Sequence, residues 1–392
     1  MNIVFISEHY FPRIGGVTTY VKNIFEHSSS VFEKIILIVP FEGENGKIVS
    51  HNNGVNSEIL VGLGSNLTGN ILPKKRKEFI ELAYQYLKGH YQKEKFDAIH
   101  VLFGLYTMQY FNFQYFRSLG VKCGVTIHNV PPAECGISWS GDVFYEYIKD
   151  EIRKIGVGII NKRRIQSQDF DLYVVPSHHV KKLLEPLVQS NKIKVVGHGI
   201  IAKHIIKYEN ANKNYIQILC VGGFVPHKRQ DSLIDIAIAL YKKGYQIRWI
   251  MVGPIRNKNY FDFVNKKIRS NSHLQVEIKV SIPQDELNGL YLSSDLYIQP
   301  SSEEGFCLTA LDAASYGLPI VGTLTGALPE IIEKGYGIIS DFNPSALEKA
   351  VTIMVKSLDS YKEKAQSKLP EVINHFNWDI AVLQLKQGLE NN

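Results

Sequence analysis

Short apolar runs alternate with stretches of helical periodicity along most of this chain, and they fall into two sets. The first set is Ile3–Ser7, Lys34–Val39, Ala98–Leu102, Lys122–Ile127, Leu172–Val175 and Ile193–Val196; the second is Ile216–Val221, Ile247–Val252, Val276–Val280, Leu296–Ile298 and Ile320–Gly322. Strands that read as unbroken apolar runs are buried on both faces, and helices between them give a parallel, doubly wound α/β sheet. Two such sheets are expected. The polar segment from Lys203 to Asn214, rich in Lys and Asn, lies between the sets, so residues 1–203 read as one domain, 204–214 as a linker and 215–370 as a second domain. After Asp341 the pattern is helical over Pro344–Leu358, Tyr361–Phe376 and Asp379–Leu389.

Composition agrees with two cores. A chain of 392 residues with 45% hydrophobic and 21% charged residues exceeds what one core holds. No apolar run approaches the eighteen or so residues that a membrane helix needs. The opening Met1-Asn2-Ile3-Val4-Phe5-Ile6 reads as a first strand rather than a secretory signal, so the expected location is the cytoplasm. Cys123, Cys135, Cys220 and Cys307 show no Cys-x-x-Cys spacing, which suits reduced thiols and gives neither a disulfide nor a zinc site.

The net charge of +6 favours anionic partners. Two basic clusters, Lys74-Lys75-Arg76-Lys77 and Lys162-Arg163-Arg164, adjoin helical stretches of the first domain. They suit either solvated helix faces or an anionic membrane surface, where the protein would sit peripherally at the inner face. Nucleic-acid fingerprints are lacking, so no nucleic-acid partner is expected.

The segment Glu304-Gly305-Phe306-Cys307-Leu308-Thr309-Ala310-Leu311-Asp312 follows an apolar run and Pro300-Ser301-Ser302. A helix beginning near Cys307 would set free backbone N–H groups beside the Glu304 carboxylate. The N–H groups suit phosphate and the carboxylate suits sugar hydroxyls, a pairing that fits a nucleotide sugar. Asp312, eight residues on, lies a little over two turns along the same helix. Gly15-Gly16, after the first strand, opens a helix where backbone can approach an anion closely. His128 lies at the carboxyl end of the Lys122–Ile127 strand, where ligands of open α/β sheets bind. Taken singly, each of these features also fits an ordinary loop.

The run from Pro300 through Gly322, continuing to Gly326-Ala327-Leu328-Pro329-Glu330, resembles the C-terminal signature of retaining glycosyltransferases of family 4, which have the GT-B fold. That resemblance implies two Rossmann-like doubly wound domains facing a cleft, with a last helix (371–392) returning to the N-terminal domain. It assigns Glu304, His128 and Lys228 to catalysis, with His128 and Glu304 on the donor sugar. Donor binding falls to Gly15, Gly16, Gly305, Phe306, Cys307, Leu308, Thr309 and Asp312. Two departures stand out: Asp312 replaces the family's second Glu, and Gly223 stands where an Arg is usual, leaving Lys228 as the matched cation, with Arg229 and His227 close by in sequence.

The implied reaction is transfer of a sugar from a nucleoside diphosphate sugar to a glycan or lipid-linked acceptor in cell-surface polysaccharide or glycolipid synthesis. Lys228 and backbone dipoles would stand in for a divalent ion, so neither metal nor cofactor is expected. Two other readings share these contacts: a GT-B nucleotide-sugar epimerase, and a non-catalytic partner of another transferase.

Overall fold

The computed structural model describes residues 1–11, 15–40, 48–52, 57–63, 73–130, 156, 158–200 and 214–391. Cys135 and nearly all of the expected linker, 204–213, lie outside the described residues. The described chain divides into two units. One holds the described residues up to Val130, those from 156 to Gly199, and Asn377–Asn391; the other holds Ile200 and Asn214–Phe376.

The first unit is built on eight strands: β1 (Asn2–Ser7), β2 (Lys34–Pro40), β3 (Ile48–Asn52), β4 (Ser57–Leu63), β5 (Ala98–Phe103), β6 (Lys122–Thr126), β7 (Leu172–Val175) and β8 (Ile193–Val195). Their order is β3-β4-β2-β1-β5-β6-β7-β8, and only the edge strand β3 runs antiparallel to its neighbour. Alternate residues of the inner strands enter opposite cores. Val4 and Ile6 join the Phe79, Leu87, Phe113 and Phe116 side, whereas Ile3 and Phe5 join the Tyr20, Ile24 and Phe32 side. That second core is completed by the helix Trp378–Asn391, through Trp378, Val382, Leu385 and Leu389. Backbone approach there is close, since a Cβ on Gly199 would fall 2.3 Å from Trp378 N.

The second unit holds six parallel strands: β9 (Ile216–Val221), β10 (Ile247–Val252), β11 (Gln275–Lys279), β12 (Leu296–Gln299), β13 (Ile320–Thr323) and β14 (Gly337–Ser340). They are ordered β11-β10-β9-β12-β13-β14. The chain therefore leaves β9 toward one edge and returns at β12 toward the other. This is the strand reversal at which open α/β sheets bind ligands.

Several boundaries differ from the sequence reading. Strands β3, β4 and β14 were not foreseen: the first two form an edge hairpin of mixed polarity, and Gly337-Ile338-Ile339-Ser340 is too short to stand out. The helix Leu358–His375 runs on through Pro370, so the passage to the first unit falls at Asn377 instead of residue 371. Among the described residues, no helix is long and apolar enough to cross a membrane. Cys123, Cys220 and Cys307 are buried free thiols, each pushed up to about 12 by burial.

Candidate active site

The carboxyl ends of β9 and β12 are adjacent, paired through Leu296 with Ile218 and Tyr297 with Leu219. Out of β9 the chain passes Gly222 and Gly223 into a 3-10 turn, Pro226–Lys228. Out of β12 it passes Pro300-Ser301-Ser302 to Glu304. His227 O accepts from Ser302 N at 2.8 Å, which fastens the two loops together. Lys228 then reaches Glu304 at 2.6 Å, Nζ to Oε1. The Glu304 residue is only 8% exposed.

Glu304 is fixed from three sides. Gln299 Nε2 donates to Glu304 Oε1 at 3.1 Å and to Ser301 Oγ at 2.7 Å, and Glu304 N donates to Thr325 Oγ1 at 3.1 Å. The third constraint is Gly326, at φ 55, where a Cβ would stand 2.7 Å from Glu304 Cβ. A side chain there would displace the acid, so glycine is required by contact as well as by conformation. Burial opposes charge on Lys228, but the Glu304 carboxylate beside it and the further contacts outweigh this, and its ammonium is held above the usual lysine range. The pair is thus a fixed, ionised cation and acceptor oxygen in one place.

Cys307 precedes the helix Leu308–Ser315 in the left-handed region, φ 77, unusual for a residue with a side chain. Its side chain does not cap the helix; Cys307 O accepts from Ala310 N at 3.1 Å, and the N–H groups of Leu308 and Thr309 remain for another acceptor. Thr309 Oγ1 donates to Val221 O at 3.1 Å and accepts from Tyr297 Oη at 2.9 Å, tying the helix to the end of β9. Phe306 is buried against Phe376, so its side chain belongs to the core. Asp312 is half-buried beside the stacked rings of Tyr291 and Tyr316, whose phenols are raised by burial first and by the Asp312 charge second.

Arg229 does not supply the cation absent at position 223. It is buried in a left-handed conformation, 3.7 Å from Asp231 and stacked over Phe342.

In the first unit, Gly15 caps the helix Gly16–His27, and among the described residues nothing stands within 4 Å of where its Cβ would be. Glu8 follows β1 and is wholly buried: its Oε1 accepts from Thr107 N at 2.8 Å and its Oε2 from Arg76 Nη1 at 2.9 Å. Burial, only partly offset by these donors, raises its carboxyl. His128 sits after β6 with its edge on Tyr20, and its Nε2 lies 2.9 Å from Leu102 O. A carbonyl can only accept, so Nε2 carries the proton and Nδ1 is left as an acceptor. Burial lowers the ring to about 4, so it is neutral at ordinary pH. The two basic clusters meet here. Arg76 and Arg164 both stack on Tyr106, at 4.8 and 4.2 Å, and Lys77 lies over Tyr110, while Lys74, Lys75, Lys77 and Arg163 are exposed.

Asp169-Phe170-Asp171 has the spacing of a metal-binding acid pair. Asp169 pairs with Lys192 and Asp171 accepts from Cys123 N at the amino end of β7, away from the ligand edge. Among the described residues no group of His, Cys, Asp and Glu is arranged to hold a metal ion.

Residues 202–368 match the family model of glycosyl transferases group 1. The chain is 22% identical to an uncharacterized glycosyltransferase of Methanocaldococcus jannaschii, over 99% of this chain and 97% of that one. It is 18% identical to the phosphatidylinositol N-acetylglucosaminyltransferase gpi3 subunit of Schizosaccharomyces pombe, over 96% and 78%. The structure of Anabaena HepE in complex with UDP and glucose superposes with a TM-score of 0.70, at 14% identity and full coverage of both chains. The chain has the GT-B fold. The segment matched by that family model contains Lys228, Gln299, Glu304, Asp312 and Thr325. Of these, Gln299 and Thr325 were not singled out from sequence, because a buried polar residue is recognisable only once the loops it joins are known.

Proposed function

We propose that this chain is a glycosyltransferase that moves a sugar from a nucleoside diphosphate sugar to an acceptor hydroxyl, with retention at the anomeric carbon. The observation that carries this reading is the buried Lys228–Glu304 pair at the β9/β12 reversal, beside the uncapped start of the helix Leu308–Ser315. In the reaction the bond from the anomeric carbon to the diphosphate oxygen breaks and a bond to the acceptor oxygen forms. The acceptor proton passes to a donor phosphate oxygen. Lys228 and the N–H groups of Leu308 and Thr309 face the charge that develops on the leaving diphosphate. Both described hydrogen bonds to the Glu304 carboxylate fall on Oε1, which leaves Oε2 to accept from a sugar hydroxyl. Asp312 is assigned to the ribose. Gly15, Gly16 and His128 are assigned to substrate contacts of the first unit, His128 through Nδ1.

A fixed ammonium with backbone dipoles can do the work of a divalent ion, so the reaction is proposed to be metal-independent. The acceptor is proposed to be a lipid-linked glycan or glycolipid at an anionic membrane surface. The phosphatidylinositol transferase relative and the exposed Lys74, Lys75, Lys77 and Arg163 support this. The test is a panel of UDP-, GDP- and ADP-sugars. A matched donor at a hundred times its Kd stabilises by about 2.7 kcal/mol and raises the melting temperature. Transfer with that donor should persist in excess EDTA, and the product should keep the donor's anomeric configuration by NMR. Isomerisation of donor without acceptor would point to an epimerase instead. Binding without turnover across an acceptor panel would point to a non-catalytic partner, and loss in EDTA restored by Mg2+ would overturn metal independence.

A further inference from the structure

Two glycines leave β9 side by side, and each is overlaid by the stem of a cationic side chain. A Cβ on Gly222 would stand 3.5 Å from Lys228 Cδ, and one on Gly223 would stand 3.1 Å from Arg256 Cγ. The second contact is tighter than a real side chain tolerates without movement. Gly223 therefore lacks a side chain at the place that Arg256 fills. Backbone bonds hold Arg256 to this course: Phe224 N donates to Pro254 O at 2.9 Å and Asn257 N to Phe224 O at 3.0 Å, with Phe224 and Ile255 paired as a parallel bridge. One residue later, Asn257 Oδ1 caps the helix Lys258–Arg269 by accepting from Tyr260 N, which fixes where the loop ends.

Charge gives this placement a purpose. Glu304 neutralises Lys228 in the pair at 2.6 Å, and Arg229 is turned to Asp231 and Phe342. A diphosphate brings roughly two negative charges, and one paired lysine with a helix terminus answers them incompletely. Arg256 is exposed and arises from the loop next to the glycine pair. Its planar guanidinium can take two phosphate oxygens at once, which an ammonium cannot.

We propose that Arg256 is the second cation of the diphosphate site, delivered from the β10 loop across Gly223 instead of from position 223 itself. The inference rests on reading the β9/β12 crevice as the nucleoside diphosphate sugar site. It explains why an arginine is dispensable at position 223 and why the residue there is glycine.

The test uses the full chain and equilibrium binding of UDP, GDP and ADP, taking the diphosphate that binds wild type best. Arg256→Met keeps the stem over Gly223 and removes only the charge. It should weaken the diphosphate tenfold or more, make the remaining binding less sensitive to salt, and leave the melting temperature of the free protein unchanged. Adding Gly223→Arg to Arg256→Met should recover most of the loss, whereas Gly223→Arg alone, which drives two side chains into one space, should not improve binding. Lys228→Met is measured beside them. A loss in Lys228→Met with none in Arg256→Met would overturn the role of Arg256 and keep the crevice as the site. If wild type binds but neither variant weakens binding, both the role and the site fall; if wild type binds no diphosphate, the reading of the crevice falls and takes this inference with it.

Discussion

The two sheets share one strand order around their reversal points, β4-β2-β1-β5-β6-β7 in the first unit and β11-β10-β9-β12-β13-β14 in the second, yet their carboxyl edges carry opposite chemistry. In the first, the ionisable groups are engaged internally: Glu8 by Thr107 and Arg76, and His128 as a neutral ring against Leu102 and Tyr20. In the second, a charged lysine and a carboxylate are locked together with N–H groups beside them. The same winding thus carries an internally engaged acid and a neutral ring at one edge and an ionised lysine–carboxylate pair at the other. Strand order fixes where a ligand can sit, and the loop residues fix what it is.

The largest effect expected from this contrast is catalytic and belongs to the second edge. Lys228→Ala should lower transfer roughly a hundredfold or more, the scale of losing one preorganised donor, with Glu304→Gln close behind. His128→Gln, which retains a neutral donor and acceptor, should cost tenfold or less. Steady-state kinetics on the three variants checks the order, and a His128→Gln loss equal to that of Lys228→Ala would erase the distinction between the edges.

Acid should separate the units next. Burial lowers His100 to about 3 and His128 to about 4, and it depresses His198 well below the usual range. The unfolded chain takes up these protons first, so the contribution of the neutral rings is complete above the ordinary histidine pKa of about 6.5 and declines as pH falls toward the folded values. Each ring should cost roughly 1 kcal/mol per pH unit below about 6.5. Lys228 has the opposite sign, since its raised ammonium contributes below the ordinary lysine pKa and is lost only on going above it. Between pH 7 and 5 the first unit should weaken more than the second, where burial lowers His375 less strongly. Urea-dependent hydrogen exchange read on peptides from each unit measures this, and His100→Gln should flatten the first unit's slope.

A smaller effect concerns the exposed basic residues of the first unit. Changing Lys74, Lys75, Lys77 and Arg163 together to Gln should reduce cosedimentation with anionic vesicles several-fold and leave nucleotide binding intact. Arg76 is spared because its loss would leave Glu8 buried without its cation. Wild-type binding should fall as ionic strength rises from 0.1 to 1 M and the screening length drops from about 10 to 3 Å. Equal partition onto neutral vesicles would assign these residues to solvent. The smallest change is Asp312→Glu, expected to hold or modestly improve nucleotide affinity in a titration. A large loss would mean that the surroundings of Tyr291 and Tyr316 have adapted to the shorter acid.

Much of this was readable in the sequence where the signal is local. Runs such as Leu172–Val175, Ile216–Val221 and Ile247–Val252 coincide with strands because both faces of a parallel strand must be apolar. Glu304 and Lys228 stood out by motif. What escaped depends on contacts between distant segments. β4 is a strand because β2 lies beside it, Gln299 matters because Glu304 folds back onto it, and Arg256 matters because the β10 loop crosses Gly223. The basic clusters were legible as charge, but their meeting on Tyr106 was not.

The helix Trp378–Asn391 has a consequence for how the protein is made. Its side chains complete the Tyr20, Ile24 and Phe32 core, whose other members lie before Gly199. On a ribosome adding about 5–20 residues per second, the first unit waits roughly 10 to 40 s for its last helix after its strands have emerged. By the end of that interval the second unit has been synthesised through Phe376, whereas the older half of the chain still lacks its helix. The unit whose strands emerge earlier is therefore completed after the other, with an apolar face open to solvent or to chaperones until the helix Trp378–Asn391 has been made.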